Sequence, residues 1–281
     1  MRLFVTGGTG FIGSHFVNQA NAAGHEVVAL RRSPTSQTRI PLMKEPIWVD
    51  ATLDSVQEKD LKGCEAVVHL AAHTANVPYD TLENCLYWNL TVPLRVFQRA
   101  HSVGVHRFVV AGSCFEYGRS GERYEFIPET APLEPTASYP TSKAAASIAM
   151  IGLAAELNLK LSIHRIFQVY GEGEASHRLW PSLRAAALAG DDFQMTAGEQ
   201  VRDFIHVRSV ASSLLKACER EDLTEGLAEI ENLGTGRPQT TLQFCQEWWQ
   251  RWSAKGKLLV GAVPYRHSEV MRYVPQVNDE R

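Results

Sequence analysis

The sequence predicts an α/β fold, a doubly wound parallel sheet with a smaller C-terminal lobe. Three observations carry this. Met1 to Gly13 is a short apolar strand, a glycine-rich turn and a helix start. Short runs rich in Val, Leu and Ile then alternate with helical patterns as far as Phe167. Beyond residue 168 that alternation gives way to loops, short strands and a Trp-rich helix. Strands alternating with helices place helices on both faces of a parallel sheet, and ligands then bind beyond the carboxyl ends of the strands.

In chain order, Leu3, Phe4 and Val5 form the first strand, and Gly7, Gly10 and Gly13 follow at G-x-x-G-x-x-G spacing. This is the arrangement of a Rossmann-type turn: the first glycine permits the sharp exit, the second a close approach to phosphate, the third close helix–strand packing. The following helix start presents unpaired N–H groups to an anion. Gly24 ends that helix, and Glu26–Arg31 reads as the second strand. Ile47–Val49, ending at Asp50, is a third strand and Ala66–Leu70, running into Ala71 and Ala72, a fourth. Leu82–Val103 is a long helical pattern in which Pro93 predicts a kink. Arg107–Ala111 is the fifth strand, Tyr139–Leu157 an Ala-rich helix and Leu159–Phe167 another strand. Helices are expected near Trp180–Leu188 and over Val210–Cys218, with a third around Trp248, Trp249 and Trp252. The predicted division is a dinucleotide-binding domain over 1–167, with return elements near 205–230, and a substrate lobe from 168–204 and 231–281.

A chain of 281 residues with 44% hydrophobic and 21% charged residues has an ordinary globular composition with room for a sizeable core. The net charge of -3, without a long Lys/Arg run, argues against nucleic acid as a partner. Five cysteines without a C-x-x-C pair read as free thiols in a reducing compartment, with no metal site. No basic segment precedes an apolar core at the N-terminus, and no apolar run approaches the roughly 20 residues that span a bilayer. A cytoplasmic protein without a membrane partner is expected.

Tyr139 and Lys143 stand four apart at a helix start and share a face. An ammonium beside a phenol favours phenolate and lowers its pKa from about 10, so Tyr139 could exchange a proton with a substrate oxygen. Ser113, just past the fifth strand in Gly-Ser-Cys-Phe-Glu-Tyr-Gly, can donate to the same oxygen. Each alone is commonplace; together, after the glycine turn, they form a catalytic constellation.

Over nearly its whole length the chain resembles the extended short-chain dehydrogenase/reductases of the sugar-nucleotide epimerase/dehydratase branch. Thr6–Gly13 matches T-G-G-x-G-F-I-G, His69–Ala72 matches H-L-A-A, and Asn89 matches the Asn of the family's long helix. Ser113–Gly118 resembles S-S-x-x-Y-G, Tyr139–Lys143 Y-x-x-S-K and Arg165–Gly171 R-x-x-N-V-Y-G, with Gln168 in place of the Asn. Gly198–Val207 and Asn232–Gly236 resemble G-x-x-x-R-D-F-I-H-V and N-L-G-T-G. The resemblance implies a nicotinamide cofactor against Gly7, Gly10, Phe11, Ile12, Gly13, Leu70, Ala71, Ala72 and Asn89, with Asp50 accepting from the adenine amine. It implies Tyr139 as acid/base, Lys143 on the nicotinamide ribose, and Ser113 orienting the sugar. Arg202 and, from the segment Pro264–Glu269, Arg266 would reach the substrate diphosphate, with Glu116 and Gln168 as further substrate contacts. It also implies a homodimer through the two long helices.

Cys114 and Phe115 stand where the family's 4,6-dehydratases carry an Asp-Glu pair, which argues against water elimination. Leu30-Arg31-Arg32-Ser33 ends the second strand without an acid. Two guanidiniums there suit the 2′-phosphate of NADP, so NADP(H) is favoured and NAD(H) remains open. The expected activity is reduction of a 4-keto-6-deoxyhexose at C4 on a nucleotide-diphospho-sugar. The alternative is an NAD-dependent 4-epimerase, and a third reading is a non-catalytic NADP-binding regulator.

Overall fold

A computed structural model describes residues 1–266 and 269–277; His267, Ser268 and residues 278–281 of the expected lobe lie outside the described residues. Seven parallel strands form one sheet: β1 (Arg2–Thr6), β2 (Glu26–Arg31), β3 (Ile47–Asp50), β4 (Ala66–His69), β5 (Arg107–Ser113), β6 (Lys160–Ile166) and β11 (Ala228–Leu233). Their spatial order is β11-β6-β5-β4-β1-β2-β3. The chain winds outward from β1 in one direction and then from β4 in the other, so the crevice between β1 and β4 is the topological switch point where such sheets bind ligands.

Both faces of the sheet are covered. Leu3, Val5, Phe16 and Val17 pack with Val210, Ala211 and Leu214 on one face, where α1 (Phe11–Ala22) lies beside α7 (Val207–Glu219). Phe4, Val28, Val67, Phe97, Met150 and Leu161 pack on the other, under α4 (Val92–Ser102) and α5 (Ser138–Leu157). Fully burying one such side chain is worth about 1.5–3 kcal/mol relative to leaving it in water.

The expected long helix over 82–103 is three pieces. α3 (Leu82–Leu86) runs into a π-helical turn, Tyr87–Thr91, and only then into α4, where Pro93 sits in the first turn. The irregular turn falls just before Pro93, its last hydrogen bond running from the Val92 N–H to the Tyr87 carbonyl, and so accommodates a residue that cannot donate. A short helix, α2 (Glu58–Leu61), also escapes the sequence pattern. The expected domain boundary at 231 falls inside β11, which is the edge strand beside β6, so the return to the sheet extends to Leu233.

The remaining elements are small: β7 (Gln168–Tyr170), α6 (Leu179–Ala189), β8 (Phe193–Met195), β9 (Val201–Arg202), β10 (Phe204–His206), β12 (Gln239–Thr240), α8 (Thr241–Arg251), β13 (Leu258–Val260) and β14 (Arg272–Tyr273). β9 lies between β12 and β14, while α6 and α8 interlock through Trp180, Trp248 and Trp252. No described helix is long and apolar enough to cross a membrane.

Candidate active site

The turn after β1 is built without room for side chains. Gly7 has φ +73°, and a Cβ there would lie 2.7 Å from the Ala71 nitrogen at the end of β4. A Cβ on Gly13 would lie 2.0 Å from the Gly7 carbonyl oxygen. Gly10 caps α1 without a side chain, so the first-turn N–H groups of Phe11, Ile12 and Gly13 keep no side-chain acceptor. Behind them Thr6 Oγ1 accepts from the Ala71 N–H at 3.3 Å and shares a 2.8 Å hydrogen bond with His69 Nδ1. Gly7, Gly10, Phe11, Ile12, Gly13, Leu70, Ala71 and Ala72 thus converge at the carboxyl ends of β1 and β4. This cradle fits a dinucleotide pyrophosphate, which needs close backbone approach and a helix N-terminus.

At the end of β2 the structure corrects part of the expectation. Arg31 and Asp50 are directly paired across β2 and β3. Arg31 Nε donates to Asp50 Oδ1 at 2.5 Å, and its guanidinium carbon lies 4.9 Å from the centre of the Trp48 ring. The hydrogen bond to Asp50 raises the Arg31 pKa further. The expected phosphate ligand and the expected adenine acceptor therefore satisfy each other. Arg32 is exposed and forms no ion pair among the described residues. Beside it, the Ser33 hydroxyl shares hydrogen bonds with Thr35 (2.9 Å) and Ser36 (3.4 Å). The Arg39 N–H donates to the Thr9 carbonyl, holding this segment against the glycine turn.

Ser113 is the last residue of β5 rather than lying past it, and Tyr139 and Lys143 occupy the first turns of α5; all three are buried. Lys143 Nζ donates to the Ala111 carbonyl of β5 at 2.7 Å. Burial, then the charge of Glu116 and the neighbouring Tyr79 and Cys114, push the Tyr139 phenol well above its ordinary pKa; Ser113 acts in the opposite sense. Burial lowers the Lys143 pKa, opposed by Glu116. The expected depression of Tyr139 by Lys143 is not seen, because Lys143 serves the strand carbonyl and desolvation dominates. Burial therefore favours the neutral form of the Tyr139 phenol.

Two expected contacts turn out to be internal supports. Glu116 is fully buried and accepts from Ser113 N–H, Ser147 Oγ and Arg165 Nε, so it lies beneath the site instead of facing substrate. Asn89 is 2% exposed in the π-helical turn. Its Oδ1 accepts from His73 N–H at 2.7 Å, and its Nδ2 donates to the His73 carbonyl and to Ser142 Oγ. It ties the loop after β4 to α5 and reaches the cofactor side only through them.

Gln168 is half-buried on β7, which pairs with β10. Arg202 is buried, and its donors are taken by Glu269 Oε1 at 2.9 Å and by the carbonyls of Val201 and Val270. An anion would have to displace that carboxylate. Arg266 is exposed. Two residues escaped sequence reasoning. Tyr79 stacks on Tyr139 with ring centres 5.5 Å apart, and Arg178 and Arg266 both act electrostatically on its phenol. Tyr79 lies in an irregular loop with no periodicity to place it; Arg178, directly before α6, could have been found as the basic residue opening the substrate lobe.

Known proteins resemble this chain over most of its length. A model of the NAD dependent epimerase/dehydratase family matches residues 3–233. A UDP-glucose 4-epimerase of Haemophilus influenzae is 30% identical, the match covering 87% of this chain and 80% of that protein. A CDP-abequose synthase of Salmonella muenchen is 23% identical over 96% of this chain and 87% of that protein. Among solved structures, MoeE5 in complex with UDP-glucuronic acid and NAD superimposes with a TM-score of 0.86 at 26% identity, covering 99% of this chain and 90% of that one.

Proposed function

Because the chain belongs to the NAD dependent epimerase/dehydratase family, we propose that it is an NADPH-dependent reductase of a nucleotide-diphospho-4-keto-6-deoxyhexose. The carrying observation is the reaction corner itself. Ser113 and a buried, protonated Tyr139 stand together, while the neighbouring positions used for water elimination hold Cys114 and Phe115. A buried thiol with its pKa raised to about 12 and a phenyl ring cannot act as an acid–base pair at neutral pH.

Gly7, Gly10, Phe11, Ile12, Gly13, Leu70, Ala71 and Ala72 would hold the dinucleotide, which in its reduced form would supply the hydride for the sugar C4 carbonyl carbon. Tyr139 gives its proton to the oxygen as the C=O becomes C–OH, and the Ser113 hydroxyl orients that oxygen. Lys143, fixed on Ala111, presents its remaining N–H donors to the ribose. Arg178 and Arg266, at the mouth beside Tyr79, attract the diphosphate, and Arg202 joins them if Glu269 yields. Arg32 with the Ser33, Thr35 and Ser36 hydroxyls serves the 2′-phosphate of NADP.

A second reading, an NAD-dependent 4-epimerase, is favoured by the likeness to the Haemophilus enzyme and by the capture of Arg31 by Asp50. The protein is further proposed to work in the cytoplasm as a homodimer across α3–α5, where Leu82, Tyr87 and Ile148 are exposed. Titration with NADPH and NADH, followed by addition of a 4-keto-6-deoxy sugar nucleotide, separates the readings. Stoichiometric NADPH oxidation is expected. No net oxidation, with NAD released on denaturation, would establish the epimerase instead.

A further inference from the structure

We propose that Glu116 is a positioning residue whose buried carboxylate fixes Ser113 against the Tyr139–Lys143 face of α5 and sets a negative charge beneath it. The inference rests on the reading of Tyr139 as proton donor and deepens it. Glu116 sits in the turn directly after β5 and has no solvent exposure. Its Oε1 accepts from Ser113 N–H at 2.8 Å; its Oε2 accepts from Ser147 Oγ at 2.9 Å and Arg165 Nε at 3.1 Å. Three separate elements, β5, α5 and β6, therefore meet on one carboxylate. Tyr139, Lys143 and Ser147 follow each other at four-residue spacing and form one stripe of α5. Lys143 ties this stripe to Ala111, and Ser147 ties it to Glu116. The catalytic face of the helix is thus strutted twice against the strand that carries Ser113.

The charge has a second consequence. Arg165 is the one cation paired with Glu116 among the described residues, and it is also engaged by the Tyr117 hydroxyl and the Glu129 carbonyl. An ion pair in this position costs desolvation that a well-packed apolar pair would avoid. What the anion supplies is a field. A negative charge disfavours phenolate and favours ammonium, so it acts on Tyr139 and Lys143 in the same protonating sense. The other groups facing this corner are Tyr79 and Cys114 on Tyr139, the Ser113 hydroxyl, Arg202 acting on Cys114, and His69 beside Lys143. His69 is held neutral, its pKa lowered by burial and by Lys143 to about 3. A second anion, Asp203, also acts on Cys114, while Glu116 is the carboxylate that acts on both Tyr139 and Lys143.

The test reads the phenol directly and needs no substrate. Difluorotyrosine placed at position 139 brings its ionisation into an accessible range, and ¹⁹F NMR follows it against pH. In Glu116→Gln the midpoint is expected to fall by about one unit or more, tenfold in the ionisation constant; in Glu116→Asp, which keeps the charge, it should stay near the native value. Gln leaves Arg165 an unpaired cation that itself favours phenolate, so Glu116→Gln/Arg165→Met is measured alongside, with a smaller fall in the same direction expected. An unchanged midpoint in the folded charge-free variants would overturn the proposal. If the midpoint falls as expected but native protein shows no reductase activity, the electrostatic role stands and the functional reading fails.

Discussion

Gly13→Ala tests the cofactor cradle through a single methyl group. The added Cβ would lie 2.0 Å from the Gly7 carbonyl oxygen and 2.8 Å from its carbon, both backbone atoms that no rotamer change can move aside. Relief requires the first turn of α1 to withdraw by about 1 Å, since close-packed interiors leave no slack. That withdrawal strains the packing of Phe16 and Val17 and costs about 1–3 kcal/mol, as overpacking does. It also carries the N–H groups of Phe11, Ile12 and residue 13 out of hydrogen-bond range of a pyrophosphate. Losing one hydrogen bond to a charged group costs about 1.5–3 kcal/mol, roughly a ten- to hundredfold rise in Kd. Calorimetric titration with NADPH and NADH, paired with thermal melts, reads both effects. The melting temperature should drop by roughly 3–8 °C, and both cofactors should weaken equally because the pyrophosphate is common to them. Native affinity in a variant with native melting would refute the assignment of this turn as the pyrophosphate cradle.

Tyr139→Phe should lower turnover by about 10²–10⁴-fold, the usual worth of a positioned acid, with NADPH affinity unchanged by titration; activity that survived the change would return the non-catalytic regulator to consideration. Arg32→Glu should weaken NADPH at least about tenfold while leaving NADH binding alone, and equal loss of both would remove Arg32 from the 2′-phosphate site. His69 is buried with its pKa lowered from 6.5 to about 3 by burial first and Lys143 second. The folded protein then binds fewer protons than the unfolded chain between those values, so stability is present above pH 6.5 and lost as pH falls toward 3. His69→Asn should flatten that acid slope by up to about 1.4 kcal/mol per pH unit in denaturant melts between pH 6 and 4.5, and an unaltered slope would mean that other groups dominate acid unfolding.

Local pattern was enough for much of the site. Leu3 to Gly13 announces a strand, a turn and a helix within a few residues, and Tyr139 and Lys143 share a face simply because they are one helical turn apart. Whatever depends on lateral register or on the third dimension was hidden. Arg31 meets Asp50 because β2 and β3 pair with those two residues opposite, which nothing near either residue discloses. Glu116 reads as a substrate contact until Ser147 and Arg165 close over it. Asn89 lies buried within the π-helical turn, an irregularity that a 3.6-residue pattern cannot register. Tyr79 sits in a segment without periodicity and meets Tyr139 only through the fold.

The pairing of α1 with α7 bears on how the protein emerges from a ribosome. Phe16, Val17 and Ala20 are covered in part by Val210, Ala211 and Leu214, residues translated long after the first half of the sheet has the means to assemble. At about 5–20 residues per second, the nascent N-terminal half carries an uncovered apolar helix face for many seconds. Chaperone occupancy on arrested nascent chains should therefore persist through the completion of β6 and fall only once α7 has cleared the exit tunnel.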